Sequence, residues 1–401
     1  MRILVHDYAG HPFQVQLARA LARRGHTVRH LFSSTNQTPQ GQLSRLTDDP
    51  PSFSVVGVAM EKGALEKGAR SLSVLLERRR REIEHGTKVA RAVADFRPDV
   101  VLSANTPLDA ERLIVAAARK QDARFVKWLQ DLISVAASRI LRQKLPGLGA
   151  LVGSYYVRVE RSILNASDEV VLITEDFRPI LRDWGLPDER LHTVENWAPL
   201  DEMPQRPKDN PWAQTHGLAD KRVILYTGTL GLKHNPALLL QLAEHFADVP
   251  DVRVVVCTEG AGGEWLAERR AERGLENLLL LPFQPFADLP DVLATADVLT
   301  AVLEPDAGVF SVPSKVLTYL CAARPLLLAI PEENLAARIV KREQAGLATT
   351  PGDALGFVAH AERLLRDPDL RAQLGANARR YAETAFDIDA ISTQFEAILE
   401  G

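Results

Sequence analysis

The chain has 401 residues, 46% hydrophobic and 25% charged, with a formal net charge of −4; it is too long for one ordinary domain and suits two or three. Cys257 and Cys321 lie inside apolar runs, which excludes a disulfide framework in favour of two buried thiols and a reducing compartment. No apolar run approaches the roughly 20 residues needed to span a bilayer, and the start lacks a signal-peptide core, so a cytoplasmic protein is expected.

Taken in chain order, short apolar runs alternate with amphipathic ones. "RILVHD" (2–7) reads as a buried strand, and Pro12 opens a helix that carries Phe13, Leu17 and Leu21 on one face and stops at Gly25. Further strands are expected at 27–32, 53–60, 99–105, 124–130 and 169–174. The proline-rich stretch 197–221 loses this periodicity and reads as a linker. The rhythm restarts with strands at 222–228, 252–258, 277–283, 297–303 and 324–330, and three helical patterns, 354–366, 370–384 and 388–400, close the chain. This is the α/β rhythm of two Rossmann-like domains in series, 1–196 and 222–385, each with a parallel, helix-covered sheet. Ligands of such sheets lie beyond the carboxyl ends of the strands, so two domains facing each other would share a cleft.

Charge is divided unevenly. Residues 1–200 hold 29 Lys+Arg against 23 Asp+Glu, and the remainder 19 against 29, so the two halves should meet different partners. The run at 75–96, with "ERRRRE", is read as a solvated helix face, with contact to anionic lipid as its functional alternative. The stretch 137–164 interleaves Arg139, Arg142, Lys144, Arg158 and Arg161 with apolar and tyrosine residues, which suits an interfacial surface.

Motifs at strand ends carry the chemistry. In "YTGTLGLKHNPALLL", Gly228 and Gly231 permit tight turns, Pro236 begins a helix whose free N–H groups favour an anion, and Lys233 adds positive charge, an arrangement that suits a diphosphate. A glycine-turned loop with a solvated lysine competes with this reading, and His234 reads as a turn or capping histidine before a catalytic base. In "EPDAGVFSVPSKVLTYL", Ser314 and Lys315 fall in a first helical turn, where a lysine gains from a nearby anion, and Glu304 can accept hydrogen bonds from ribose or sugar hydroxyls. Glu304 and Asp306 read equally as a solvated loop. "CTEGAGGEW" adds a third turn, in which Gly260, Gly262 and Gly263 would admit a ligand and Glu259 would bind a hydroxyl, or which is simply a turn. Phe283 and Gln284 are candidate base contacts, with a core phenylalanine as the plainer reading.

In the first half, Gly10 and His11 stand between the first strand and the first helix, Asn105 ends the strand at 99–105, and Gln130 and Asp131 end the strand at 124–130. They are candidate phosphate, sugar and acceptor contacts, with Gln130 and Asp131 also candidate catalytic groups beside Lys233; helix capping or a buried ion pair competes for Asp131. "DPD" (367–369) and "DID" (387–389) read as capping or surface residues, the ten histidines form no close ligand cluster, and neither a metal nor nucleic acid is expected.

Across almost the whole chain, "GHPFQVQLARALARRGHTV", "WLQD", "YTGTLGLKHNP" and "PSKVLTYLCAARPLL" resemble a retaining family-four glycosyltransferase of the GT-B architecture, nearest the colanic-acid and O-antigen type. The resemblance implies transfer of a sugar from a nucleotide donor, often UDP-linked, to a saccharide or lipid-linked acceptor. It places the donor in the C-terminal domain and the acceptor in the N-terminal one, which the last helix (386–401) rejoins. It also implies a metal-independent, cofactor-free reaction in cell-surface polysaccharide synthesis, cytoplasmic or peripheral at the inner face of the plasma membrane. Lys233 would meet the donor diphosphate, and Gln130 stands where many members carry histidine. Thr229, Phe310 and Thr318 replace an arginine and two glutamates of the broad family, with Glu304, Asp306 and Ser311 as substitutes. A nucleotide-sugar 2-epimerase and a non-catalytic donor-binding scaffold subunit remain open. A dehydrogenase is disfavoured, since "VHDYAGHPFQ" offers one glycine where a dinucleotide fingerprint needs three.

Overall fold

A computed structural model describes residues 1–35, 43–60, 72–135, 138, 148–231, 234–305, 308 and 312–401, with backbone alone at 72–76 and 148. The chain divides into two compact units, Met1–Glu195 with Ile388–Gly401, and Asn196–Asp387.

The first unit runs β1 (Arg2–Asp7), α1 (Pro12–Arg23), β2 (Thr27–Ser33), β3 (Phe53–Val58), α2 (Leu72–Phe96), β4 (Val100–Ala104), α3 (Leu108–Lys120), β5 (Arg124–Leu129), α4 (Leu148–Ala166), β6 (Glu169–Leu172), α5 (Arg178–Asp183) and β7 (Leu191–Thr193). Its seven strands are all parallel, in the order β3-β2-β1-β4-β5-β6-β7. Parallel strands covered on both faces need continuous apolar sequence, and every residue of β4 is buried. Strand order reverses between β1 and β4, where Val5 pairs with His30 on one side and Leu102 on the other.

The second unit runs α6 (Pro211–Thr215), β8 (Arg222–Thr227), α7 (Pro236–His245), β9 (Val252–Cys257), α8 (Ala261–Arg273), β10 (Leu278–Leu281), α9 (Leu289–Thr295), β11 (Val298–Val302), α10 (Ser314–Cys321), β12 (Leu326–Ala329), α11 (Leu335–Arg342), β13 (Gly346–Thr349), α12 (Ala354–Arg366) and α13 (Pro368–Ala385). Its sheet repeats the pattern as β10-β9-β8-β11-β12-β13, again all parallel, reversing between β8 and β11. Leu239, Leu242, Val254, Val256, Leu327 and Phe357 anchor its core.

Two edge strands, β7 and β13, went unanticipated because LHT and GLAT, only partly buried at the sheet edges, are not continuous apolar runs like the equally short β6, β10 and β12. The segment 197–221, expected as a linker, is built into the second unit: Trp197 is buried, and the buried Asn210 caps α6 through Ala213 N (2.9 Å) and donates to the Asp291 carbonyl (3.0 Å). Side-chain anchors hold it without a regular period. The last helix, α14 (Ile388–Glu400), packs in the first unit, where Phe395 lies 4.7 Å from the Trp128 ring and Glu396 pairs with Arg24 (2.5 Å) and His26 (2.9 Å). Asp367 caps α13 through Leu370 N, as "DPD" suggested.

Candidate active site

At the carboxyl end of β8, the fully buried Tyr226 donates its hydroxyl to the Thr229 carbonyl (2.8 Å). Lys315, in the first turn of α10, reaches back so that Nζ lies 3.8 Å from the Tyr226 ring centroid and donates to the same hydroxyl. Gly228 adopts φ +118°, and a Cβ there would stand 3.1 Å from Lys315 Cε and 3.2 Å from Nζ. The backbone there favours glycine, and a side chain would crowd the lysine stem. Tyr319, one turn further along α10, accepts from Thr227 N (2.9 Å) and donates to Thr227 O (3.2 Å), clamping the strand end. Burial pushes both phenols up, so both stay neutral donors.

Around this ammonium the loop after β8 is held from within. Gly231 N donates to His234 Nδ1 (3.0 Å), making His234 the buried turn residue its spacing suggested. Leu230 N donates to Thr258 Oγ1 (3.2 Å), and Asn235 caps α7 through Ala237 N (3.1 Å). Lys233, Asp306 and Ser311 lie outside the described residues, as does Phe310. Glu304 is half-buried just beyond β11, and Ser314 is exposed at the start of α10. Glu259 and Gly260 are exposed at the turn into α8, where Gly260 takes φ +93°.

At two of the candidate contacts the structure supplies a packing or structural role. Gly262 and Gly263 do not leave room for a ligand: a Cβ on Gly262 would meet the Leu230 carbonyl oxygen at 2.6 Å, and one on Gly263 the Thr258 side chain at 2.9 Å, so both are packing glycines. Gln284 is engaged as a structural acceptor, its amide oxygen taking the Trp212 indole N–H (2.9 Å) and its nitrogen donating to Pro282 O (2.9 Å). Phe283 beside it is half-buried and is not a core residue.

The first unit gathers its polar groups at the matching reversal. Asp7 ends β1 fully buried and accepts from Ala9 N (3.1 Å), from His11 N, and from Asn105 Nδ2 (3.4 Å), with its Oδ1 3.3 Å from His11 Nδ1. The Gln14 amide, turned nitrogen-inward, adds donors at 2.6 and 2.8 Å. Gly10 (φ +77°) and Asn105 (φ +48°) supply the left-handed turns. Burial alone would lower the His11 pKa, but the Asp7 carboxylate, its hydrogen bond and the Asp131 charge raise it. Burial likewise opposes ionisation of Asp7, and the charge of His11 with its hydrogen bonds overcomes it. Gln130 is buried and Asp131 half-exposed at the end of β5. Gly10, His11, Asn105 and Asp131 thus share one strand-end cluster whose organising group, Asp7, sequence reasoning missed. Its signal was a carboxylate closing a buried strand.

Below this cluster sits a buried histidine network. His6 Nε2 meets His85 Nε2 at 2.9 Å, and His6 Nδ1 meets Thr106 Oγ1 at 2.9 Å. Thr106 spends its proton on the Ala104 carbonyl (2.9 Å), so His6 donates from Nδ1 and accepts His85's proton at Nε2. Burial holds His6 well below 6.5 and lowers His85 and His30 to about 4. Both cysteines are free and buried, their thiols pushed up to about 12. Among the described residues no cluster of three or more metal-ligating side chains occurs, and no helix is long and apolar enough to cross a membrane.

Residues 11–197 match the glycosyl transferase 4-like domain, and residues 209–381 the group 1 glycosyl transferases. WcaI of Escherichia coli (strain K12), which carries the name of a colanic acid biosynthesis glycosyl transferase, is 24% identical over 304 residues, covering 75% of this chain and 73% of its own. An alpha-D-kanosaminyltransferase of Streptomyces kanamyceticus is 21% identical over 67% of this chain and 69% of its own. Among solved structures, HepE of Anabaena in complex with UDP and glucose superposes with a TM-score of 0.73 at 17% identity, and WaaG, a glycosyltransferase involved in lipopolysaccharide biosynthesis, with 0.67 at 18%, each over the full length of both chains.

Proposed function

The chain belongs to the GT-B glycosyltransferases, with a glycosyl transferase 4-like domain followed by a group 1 domain, and from that premise we propose that it moves a sugar from a UDP-linked donor to a saccharide or lipid-linked acceptor of cell-surface polysaccharide. The observation that carries the donor side is the Lys315 ammonium over Tyr226 at the β8/β11 reversal, since ligands of open parallel sheets bind at such reversals. Lys233 joins it on the strength of the "GTLGLKHNP" motif. The crystal structures of HepE with UDP and with UDP-glucose favour uridine as the base.

In this reading the two ammonium groups neutralise the diphosphate as the sugar departs, so no metal is required. Transfer proceeds with retention, and the leaving phosphate takes the acceptor hydroxyl's proton without a protein nucleophile. The first unit holds the acceptor through His11, Asn105 and Asp131, where carboxylate and amide oxygens suit sugar hydroxyls. Glu304 contacts the donor's hydroxyls. Leu151, Tyr155 and Arg158 lie exposed along one face of α4, an apolar and cationic stripe that meets anionic lipid at the membrane carrying the acceptor.

A thermal-shift panel of UDP, GDP, CDP, ADP, dTDP and NAD tests the donor. One nucleoside diphosphate at a hundredfold excess over its dissociation constant should add about 2.7 kcal/mol of apparent stability, and Lys233→Ala and Lys315→Ala should each diminish it. Donor conversion to an epimer without acceptor, followed by NMR, would replace transferase by 2-epimerase; binding without any turnover would leave a scaffold subunit. Unchanged rates in EDTA support metal independence, and NMR of the product's anomeric proton reads retention directly. Salt-sensitive flotation with anionic liposomes supports the membrane contact, and its absence removes it.

A further inference from the structure

A lysine stem has four rotatable carbons, and an ammonium left to wander binds a phosphate only after losing that freedom. At the β8/β11 reversal two contacts remove it beforehand, and a gap admits the stem. The Tyr226 ring centroid lies 3.8 Å from Nζ, within reach of the ring quadrupole. The Tyr226 hydroxyl accepts from Nζ while donating its own proton to Thr229 O at 2.8 Å, so its lone pair is aimed at the lysine by a fixed backbone carbonyl. Gly228 leaves open the space its Cβ would occupy against Cε and Nζ. A tyrosine serving the core alone needs one hydroxyl partner, which Thr229 already provides.

We infer that Tyr226 is the positioning residue of the donor site, holding the Lys315 ammonium by hydroxyl and ring at the end of β8, with Gly228 as the gap that admits the lysine stem. This rests on the reading of Lys315 as a diphosphate contact. Order established before the ligand arrives is not charged against binding, so loss of Tyr226 should act only on ligands that carry the diphosphate.

The test is titration calorimetry of the full-length protein with UDP and with uridine, for wild type, Tyr226→Phe, Lys315→Met and the double variant. Tyr226→Phe should weaken UDP about threefold to tenfold, the range of one lost hydrogen bond, and leave uridine unchanged. The double variant should bind UDP no worse than Lys315→Met, because the hydroxyl acts through the lysine. Equal weakening of UDP and uridine, or additive losses in the double variant, overturns the inference. Lys315→Met that weakens UDP while Tyr226→Phe does not also overturns it and leaves the donor reading standing. Unchanged UDP binding in Lys315→Met removes both. A readout independent of variant folding is NMR of the wild type with 13C-labelled lysine: the Lys315 ε-methylene should be shifted upfield by the ring, and a random-coil position overturns the inference.

Discussion

The reversal between β1 and β4 and the one between β8 and β11 share a topology and differ in chemistry. The first is organised by a buried carboxylate, Asp7, with an imidazole, two amides and Asp131 around it. The second is organised by an ammonium, Lys315, seated on a neutral phenol. Each runs against the overall balance of its half of the sequence, basic in residues 1–200 and acidic after. Net charge guides distant encounters, whereas in the proposed reading each strand end carries the group that would touch its ligand: acceptor oxygens for hydroxyls, a cation for phosphate.

The largest effect expected lies in the second site. Lys315→Ala or Lys233→Ala should slow transfer by roughly 10²–10³, about 3–4 kcal/mol of barrier, read as kcat at saturating donor. A full-rate variant of either lysine removes it from the comparison.

The first unit should be the acid-sensitive one. In the unfolded chain its histidines titrate near 6.5, but burial keeps His6, His30 and His85 neutral in the fold, the latter two down to about 4. The unfolded state therefore binds more protons between these values, and stability that is complete above pH 6.5 declines as pH falls towards 4. His30 and His85 can each cost about 3 kcal/mol at the acid end. Urea unfolding from pH 7.5 to 4.5 measures the slope, and hydrogen exchange should show residues 1–195 opening first. His30 has no partner for either ring nitrogen among the described residues, so His30→Leu should flatten the slope without loss at neutral pH; an unchanged slope rejects the assignment.

Asp7→Asn should cost about 2 kcal/mol of stability, because an amide cannot accept from as many donors as the carboxylate does. It should also lower the His11 pKa, followed by NMR, and raise the acceptor KM with the donor KM unchanged. Equal changes in both constants would merge the two sites into one function. The smallest effect should come from Gln284→Ala, about 1 kcal/mol of stability from the lost Trp212 bond and less than about a twofold change in UDP affinity. A large affinity loss would restore Gln284 as a base contact.

Much of the fold was legible because its signals are local. The strands at 2–7, 222–227 and 252–257 are apolar runs that read the same in isolation as in the sheet, and Pro12 and Pro236 start helices where proline has no bond to lose. Lys315 was legible as an odd cation in a first helical turn. Its seat was not, since Tyr226 lies 89 residues earlier and reads there as an ordinary strand aromatic. Gly262 stayed ambiguous for the same reason: a glycine spared for a ligand and one spared for the Leu230 carbonyl look alike until the two elements meet.

The sequence by itself determined most of the succession of strands and helices, the edge strands β7 and β13 excepted, several glycines of positive φ at the turns, and the family through motifs at the strand ends. Tertiary structure alone decided that β1 lies beside β4 and β8 beside β11, because strand order follows from how each crossover helix packs across the sheet. That order brings Asn105 to His11 across 94 positions and Lys315 to Tyr226 across 89.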